Sequence, residues 1–308
     1  RVVTNPDSGE AERRQAARQL ARLAQAGIPG AHPDQWFSAR SVASHTPLRG
    51  STSLSPSRVE ALLNCPLKAI VGNIAEDPSG AEHLLRGNLA HHFLEAIGRG
   101  MDAEKARLLV MEAYKLILNV PQWQLQSKLE EFSRLLERTQ QWAQQSEVKN
   151  ELAGVEVPVY VEVAPDIRVG GFMDRLMQDG DGNYLVVDLK TGKSAATQAE
   201  AEENRQLMTY QLALSRGSYD GQRVRDGEGM PRAGGVLVYP GKDSSTITTR
   251  TQSQLTAEAL EDFSALLPPL AAELRGPQLT ARTNKDCDKC PIRTICPVQE
   301  EGKMTIHV

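Results

Sequence analysis

Aromatic side chains are scarce in this 308-residue sequence, at 5% of it. That leaves little material for the extended platforms on which single-stranded nucleic acid stacks. An excess of positive charge is missing too. Lys and Arg number 35 against 39 Asp and Glu, a formal net charge of −4, where a free-standing nucleic-acid binder usually carries a basic surplus. No apolar run approaches the roughly 20 residues that a membrane-spanning helix needs, which argues against a membrane partner. The opening RVVTNPDSGEAERR has no apolar centre and does not read as a secretory signal. It also has no initiator Met, so the sequence is read as a fragment of a longer, cytoplasmic protein. A phosphate-binding loop is absent as well. Thr191-Gly192-Lys193-Ser194 ends like one, but the pattern G-x-x-x-x-G-K-[ST] requires glycine at position 187, where Val187 stands. An ATP site is thereby excluded.

What remains is ordinary for a globular chain, with 40% hydrophobic and 24% charged residues. The length suits one large domain, or a domain with an appendage. Residues 9–28 are rich in Ala, Arg, Gln and Leu and favour helix. They end in the breaker cluster Gly27-Ile28-Pro29-Gly30. An irregular stretch follows, from which Trp36 and Phe37 are expected to dock on another surface. Residues 1–50 therefore read as a tether and 51–308 as the main domain. Ser55 before Pro56 reads as an N-cap with proline at the first helical position. Helical patterns run over 82–97, 103–118 and 125–145, the last with Leu125, Leu129, Phe132, Leu135 and Leu136 on one side. The period then changes to that of strands over 155–163, 167–178 and 184–189. Asp179-Gly180-Asp181-Gly182 makes a hairpin turn between the last two. A helix over 198–215, strands over 234–239 and 246–250 and a helix over 257–274 complete the pattern. This order suits an α/β fold with a mixed central sheet flanked by helices.

The densest chemistry lies on the expected hairpin. Asp174, followed by Arg175, is expected near the end of one strand, and Asp188-Leu189-Lys190 on its hairpin partner. On an extended strand Asp188 and Lys190 emerge on one face. Two carboxylates and an ammonium at one place suit metal-assisted phosphodiester hydrolysis, because Mg²⁺ prefers carboxylate oxygens and retains waters. Taken alone, the same residues read more readily as surface ion pairs on a hairpin. His91 and Glu95, four apart, share a helix face, as do Gln206 and Tyr210. Either pair alone is commonplace. Four cysteines in an intracellular chain are metal ligands or redox groups more often than disulfides. Cys287-x-x-Cys290-x5-Cys296 lies near the end and Cys65 far upstream. By ligand chemistry alone these four thiolates suit zinc or an iron–sulfur cluster.

Taken in order, Cys65, Gly87-x-x-x-His91, Asp174-Arg175, Asp188-Leu189-Lys190, Gln206-x-x-x-Tyr210 and the three late cysteines form a set. From about Ser53 to the C-terminus the set resembles the RecB-family PD-(D/E)XK nuclease domain. The variety it resembles carries an iron–sulfur cluster, as in AddB- and AdnAB-type helicase–nuclease subunits. The resemblance implies a restriction-endonuclease-like fold closed by a four-cysteine cluster. His91, Asp174, Asp188 and the backbone carbonyl of Leu189 would hold Mg²⁺ or Mn²⁺, and Lys190 would act in catalysis. Gln206 and Tyr210 would line the active site and contact the DNA strand. Glu156 is a further candidate acid, and the Gly87 spacing selects His91 over His92. Cys65, Cys287, Cys290 and Cys296 would bind a [4Fe–4S] cluster. The cluster would close a very long loop, lowering the entropy of the unfolded chain. The implied activity is cleavage of single-stranded DNA during double-strand-break end resection. A helicase domain N-terminal to this fragment and a heterodimeric partner subunit would supply the motor. The alternatives are a nuclease-like domain that grips DNA without cutting it, and a scaffold of such a complex.

Overall fold

The computed structural model describes residues 2–3, 7–33, 46–72, 81–242 and 244–303. Trp36 and Phe37 lie outside them. The chain divides into two units, Arg1–Pro47 and Leu48–Val308. The first contains α1 (Glu10–Gln25), a helix that buries none of its residues. Among the described residues no helix is long and apolar enough to cross a membrane.

The second unit is built on one mixed eight-stranded sheet. It opens with β1 (Thr52–Leu54), α2 (Pro56–Asn64) and α3 (Pro66–Val71). Ser55 caps α2 as its sequence predicts, its hydroxyl accepting from the Arg58 N–H at 3.2 Å, with Pro56 in the first turn. Three long helices follow, α4 (Ala81–Gly98), α5 (Ala103–Ile117) and α6 (Gln122–Glu147). Then come β2 (Glu151–Ala164), β3 (Ile167–Gln178) and β4 (Tyr184–Leu189). The expected hairpin joins the last two, and Asp179 shapes it by accepting the Asp181 and Asn183 N–H groups.

The expected helix over 198–215 is divided into α7 (Gln198–Glu202) and α8 (Arg205–Arg216). Asn204 stands between them and caps α8 by accepting from the Leu207 N–H. Asparagine competes for backbone donors, which favours caps over helix interiors. Beyond lie β5 (Gly217–Tyr219), β6 (Val224–Asp226), β7 (Arg232–Tyr239) and β8 (Thr248–Gln252), then α9 (Ala257–Ala265) and α10 (Leu267–Arg275). Pro268 and Pro269 lack the N–H groups that one continuous helix over 257–274 would need. The C-terminal part has two short 3-10 turns, Cys287–Lys289 and Arg293–Ile295, and α11 (Glu300–Lys303).

Strand order is β5-β6-β2-β3-β4-β7-β8, with β1 beside β3. One face is covered by α2, α8, α9 and α10, burying Leu62, Leu207 and Phe263 against Val157, Val161 and Met173. The other is covered by α4, α5 and α6, burying Phe93, Tyr114 and Phe132 against Met177, Val187 and Val238. Two features of β3 prepare the site. Along one edge it pairs with β1 at Ile167–Val169 and with β4 at Arg175–Gln178, so residues 170–174 have no strand neighbour on that side. Gly170 and Gly171 also let the chain before α2 approach. A β-carbon on Gly170 would meet the Ser53 hydroxyl at 2.8 Å, and one on Gly171 would meet the Pro56 ring at 3.2 Å.

Candidate active site

The unpaired stretch of β3 is where the sheet splits, and the candidate residues collect there. Asp174 was expected near a strand end. It lies instead in the interior of β3, where the pairing with β4 stops. Continuing that pairing would bring the Leu189 N–H to a β3 carbonyl. The strands diverge, and the Leu189 N–H donates to Asp174 Oδ2 at 2.7 Å.

The pleat also reverses here. Val157 and Met173 pack on the α8 face. Val155 and Arg175, two residues along each strand, face Gly98 of α4 on the other, although i and i+2 normally share a face. Glu156 marks the reversal with a φ of 45°, an uncommon conformation outside glycine. The change of face lets Glu156 and Asp174 turn toward α4. His91, Glu156 and Asp174 each offer a ligand atom, all within 4.8 Å of one another, the one such group among the described residues. His91 Nδ1 lies 3.2 Å from Asp174 Oδ1. His92, by contrast, is exposed and pairs with Glu95 at 3.4 Å.

Asp188 lies deeper, at 4% exposure. Lys190 reaches back along the same face to within 2.8 Å of Asp188 Oδ2 and donates to Gln206 Oε1 of α8 at 2.6 Å. The Lys190 contact lies outside hydrogen-bond geometry, so Asp188 Oδ2 is buried without a directed partner. A surface ion pair is ruled out for this motif. Arg175 likewise is no surface partner of Asp174. It is fully buried on the other face, 2.8 Å from Glu147 and over the Trp142 ring.

Tyr210 lines the same cleft, but it is 4% exposed and its hydroxyl donates to the Phe172 carbonyl. It satisfies the unpaired edge of β3. The cleft has a volume of about 920 Å³ and is walled by the start of α2, the start of α4 and the Thr191–Ser194 loop. Leu84 and Phe172 on its rim are more than half exposed.

Charge is held under tension in this site. Burial raises the Asp188 carboxyl to about 6, and the neighbouring Asp174 charge adds to the effect, against the pull of Lys190 and His91. Burial and the Asp174 and Glu95 charges also raise Glu156. For His91, burial opposes the charged ring, but Asp174, Asp188 and Glu156 outweigh it and raise its pKa. Burial disfavours the Lys190 ammonium, yet Asp188 holds its pKa above the usual value. Three carboxylates, one of them with an undirected buried oxygen, and an imidazole form a donor set suited to a hard divalent cation.

The cysteines gather elsewhere. Cys65 and Cys296 are buried, Cys287 and Cys290 half-buried, and none is in a disulfide. All four line one small cavity with Lys68, Arg282 and Asn284. No three of the sulfurs lie within 4.8 Å of one another. Arg282 ties the tail to the end of α2 by donating to the Leu62 and Leu63 carbonyls at 3.3 and 3.4 Å, and pairs with Glu273 at 2.9 Å.

The PD-(D/E)XK nuclease superfamily profile matches residues 53–297, from the strand before α2 through the last cysteine. The chain belongs to this superfamily. Proteins of this superfamily are typically metal-dependent nucleases. Asp188-Leu189-Lys190 reads as the D-x-K of the superfamily name. Asp174 is preceded by Met173, not proline. Met173 is buried in the β2 pairing, where a proline would remove a strand N–H. No curated protein matches the sequence. Among solved structures the chain is similar to the crystal structure of SSO0001, with 13% identity and a TM-score of 0.38 over 93% of this chain and 96% of that one.

Of the expected residues, His91, Asp174, Asp188, Leu189, Lys190, Gln206 and Tyr210 all line the one cleft, and Glu156 joins them.

Proposed function

We propose that this nuclease domain cuts single-stranded DNA by metal-dependent phosphodiester hydrolysis. The observation that carries the reading is the convergence of His91, Glu156, Asp174 and Asp188 beside Lys190 in one open cleft. His91, Asp174, Asp188 and the Leu189 carbonyl would hold Mg²⁺ or Mn²⁺, with Glu156 as a further ligand. A bound cation of this kind polarises a phosphoryl oxygen and acidifies a ligand water. Lys190, clamped between Asp188 and Gln206, presents a fixed positive charge to the phosphate and can orient the attacking water. The Leu189 N–H fixes one Asp174 oxygen and leaves the other directed at the His91 side. Tyr210 keeps the β3 edge in place beneath the strand.

The preference for a single strand, the helicase domain preceding residues 1–50, the heterodimeric partner and the role in end resection rest on the RecB-family resemblance. A [4Fe–4S] cluster on Cys65, Cys287, Cys290 and Cys296, which line one cavity, rests on it too. The cluster would fasten the C-terminal tail to α2 beside Arg282.

The test is incubation of the 308-residue chain with end-labelled single-stranded DNA and Mg²⁺ or Mn²⁺. Fragments are expected from the unmodified chain and none from Asp188→Ala. Intact DNA with both would favour a domain that grips without cutting. A brown colour with absorbance near roughly 400 nm, lost in Cys65→Ser, is expected of the cluster; a colourless protein containing zinc would overturn it.

A further inference from the structure

Behind the Thr191–Ser194 wall of the cleft lies a second cavity, of about 380 Å³, lined by Arg86, Arg134, Arg138, Lys193 and Lys242 with Glu131 as the one acid. Five cations against one carboxylate is a local charge opposite in sign to the chain's net −4. The cations come from α4, α6, the wall loop and the β7–β8 connection, so the fold gathers them from four places.

The cavity is built and held. Arg138 donates to the carbonyls of Pro240, Ser244 and Thr246 at 2.7, 2.9 and 3.1 Å, pinning the connection that carries Lys242. Gly241 lets that connection lie against the wall loop, where a β-carbon would meet the Thr191 carbonyl at 2.6 Å. Arg86 is 91% buried, its side chain only 9% exposed. It pairs with Glu131 at 2.7 Å and reaches the Thr191 carbonyl at 3.4 Å, yet its Nε has no hydrogen-bond partner. Glu131 is shared between Arg86 and Lys193, and neutralises only part of the group. No ion pair or hydrogen bond holds the side chains of Arg134 and Lys242 among the described residues. A buried guanidinium with an unpaired donor, beside two uncommitted cations, lacks an anion.

We propose that this cavity holds a phosphate of the DNA strand whose neighbouring linkage lies in the cleft. The proposal deepens the nuclease reading and rests on it. Lys193 projects into the cavity while Thr191, Gly192 and Ser194 line the cleft, so one loop separates the two. A strand passing over that loop is anchored on one side and presented to Lys190 on the other. It also accounts for an acidic chain gripping DNA, because the phosphate contacts are concentrated at one point. A terminal phosphate and a backbone phosphate offer the same chemistry, and the test separates them.

The experiment measures binding of a fluorescent 20-nucleotide single strand to the full chain by anisotropy, with Ca²⁺ in place of Mg²⁺, over a series of salt concentrations. Arg134→Ala with Lys242→Ala removes two cations that hold nothing else in the fold. Lys105→Ala with Lys115→Ala, on the exposed side of α5, removes the same charge elsewhere. Each single-strand phosphate contact contributes about 0.7 to the slope of log affinity against log salt. The cavity variant, losing that one phosphate contact, should therefore lose about 0.7 of slope and roughly fivefold in affinity at 0.1 M salt, while the α5 variant keeps both. A loss confined to 5′-phosphorylated strands identifies a terminal phosphate. An equal loss with and without it identifies the backbone. Unmodified affinity in the cavity variant, or equal losses in the two variants, overturns the proposal. A chain that binds through this cavity but never cuts with Mn²⁺ would overturn the nuclease reading alone.

Discussion

Metal binding should displace protons from this site, and the structure sets where. In the metal-free protein the Asp188 carboxyl is raised to about 6 by burial and by Asp174. The shift is upward, so the folded state holds the Asp188 proton more tightly than the unfolded state. Its contribution to stability is complete below the unfolded value of 3.8 and is lost as pH rises through about 6. The cost at neutral pH is roughly 3 kcal/mol by linkage, with the opposing pull of Lys190 already included. A divalent cation removes that cost, but below pH 6 it must first expel the proton. Apparent affinity should fall about fivefold between pH 6 and pH 5 through this one group, approaching about tenfold per unit at lower pH. The raised His91 must also be neutral to donate a ring nitrogen, and the raised Glu156 ionised to donate an oxygen, so the slope exceeds one proton. Titration calorimetry with Mn²⁺ between pH 5 and 8, in buffers of different ionisation enthalpy, counts the protons released. More than one proton at pH 5.5, falling toward none at pH 8, is expected. Constant affinity with no proton release across that range would refute the reasoning.

Three further outcomes follow from contacts around the site. Asp174→Asn keeps an acceptor for the Leu189 N–H, whereas Asp174→Ala leaves that amide unpaired and should cost about 1–3 kcal/mol in urea unfolding; neither should cut DNA. Tyr210→Phe frees the Phe172 carbonyl and should cost about 1 kcal/mol. It should slow cleavage far less than the roughly 100-fold or greater loss expected of Lys190→Met, in steady-state assays. Arg175→Met replaces a buried cation that has two unpaired nitrogens and should leave stability unchanged or raise it by about 1 kcal/mol; a loss of 3 kcal/mol in denaturant unfolding would contradict that.

The hairpin was readable in the sequence because a tight turn separates two segments of strand period, and period two then places Asp188 and Lys190 on one face. Glu156 was harder to read. Its approach to Asp174 depends on the pleat reversing in β2 and β3 together, which a regular alternation conceals. β1, β5 and β6 are three residues each, too short to show a period, and β1 and β6 pair in parallel with distant strands. Arg175 read as a surface charge because nothing local reveals that Trp142 and Glu147 receive it. The basic cavity was hidden for the same reason, since its cations are scattered from position 86 to position 242. The cysteine spacing drew attention to the tail, while the anchoring of Arg282 on the α2 carbonyls came only with the fold.

The central claim is that one cation sits among His91, Glu156, Asp174 and Asp188. Anomalous diffraction from crystals soaked in Mn²⁺ tests it directly. The account predicts a peak within coordination distance of Asp174 and Asp188, absent in Asp188→Ala crystals. A peak elsewhere in a chain that still cuts DNA would contradict it.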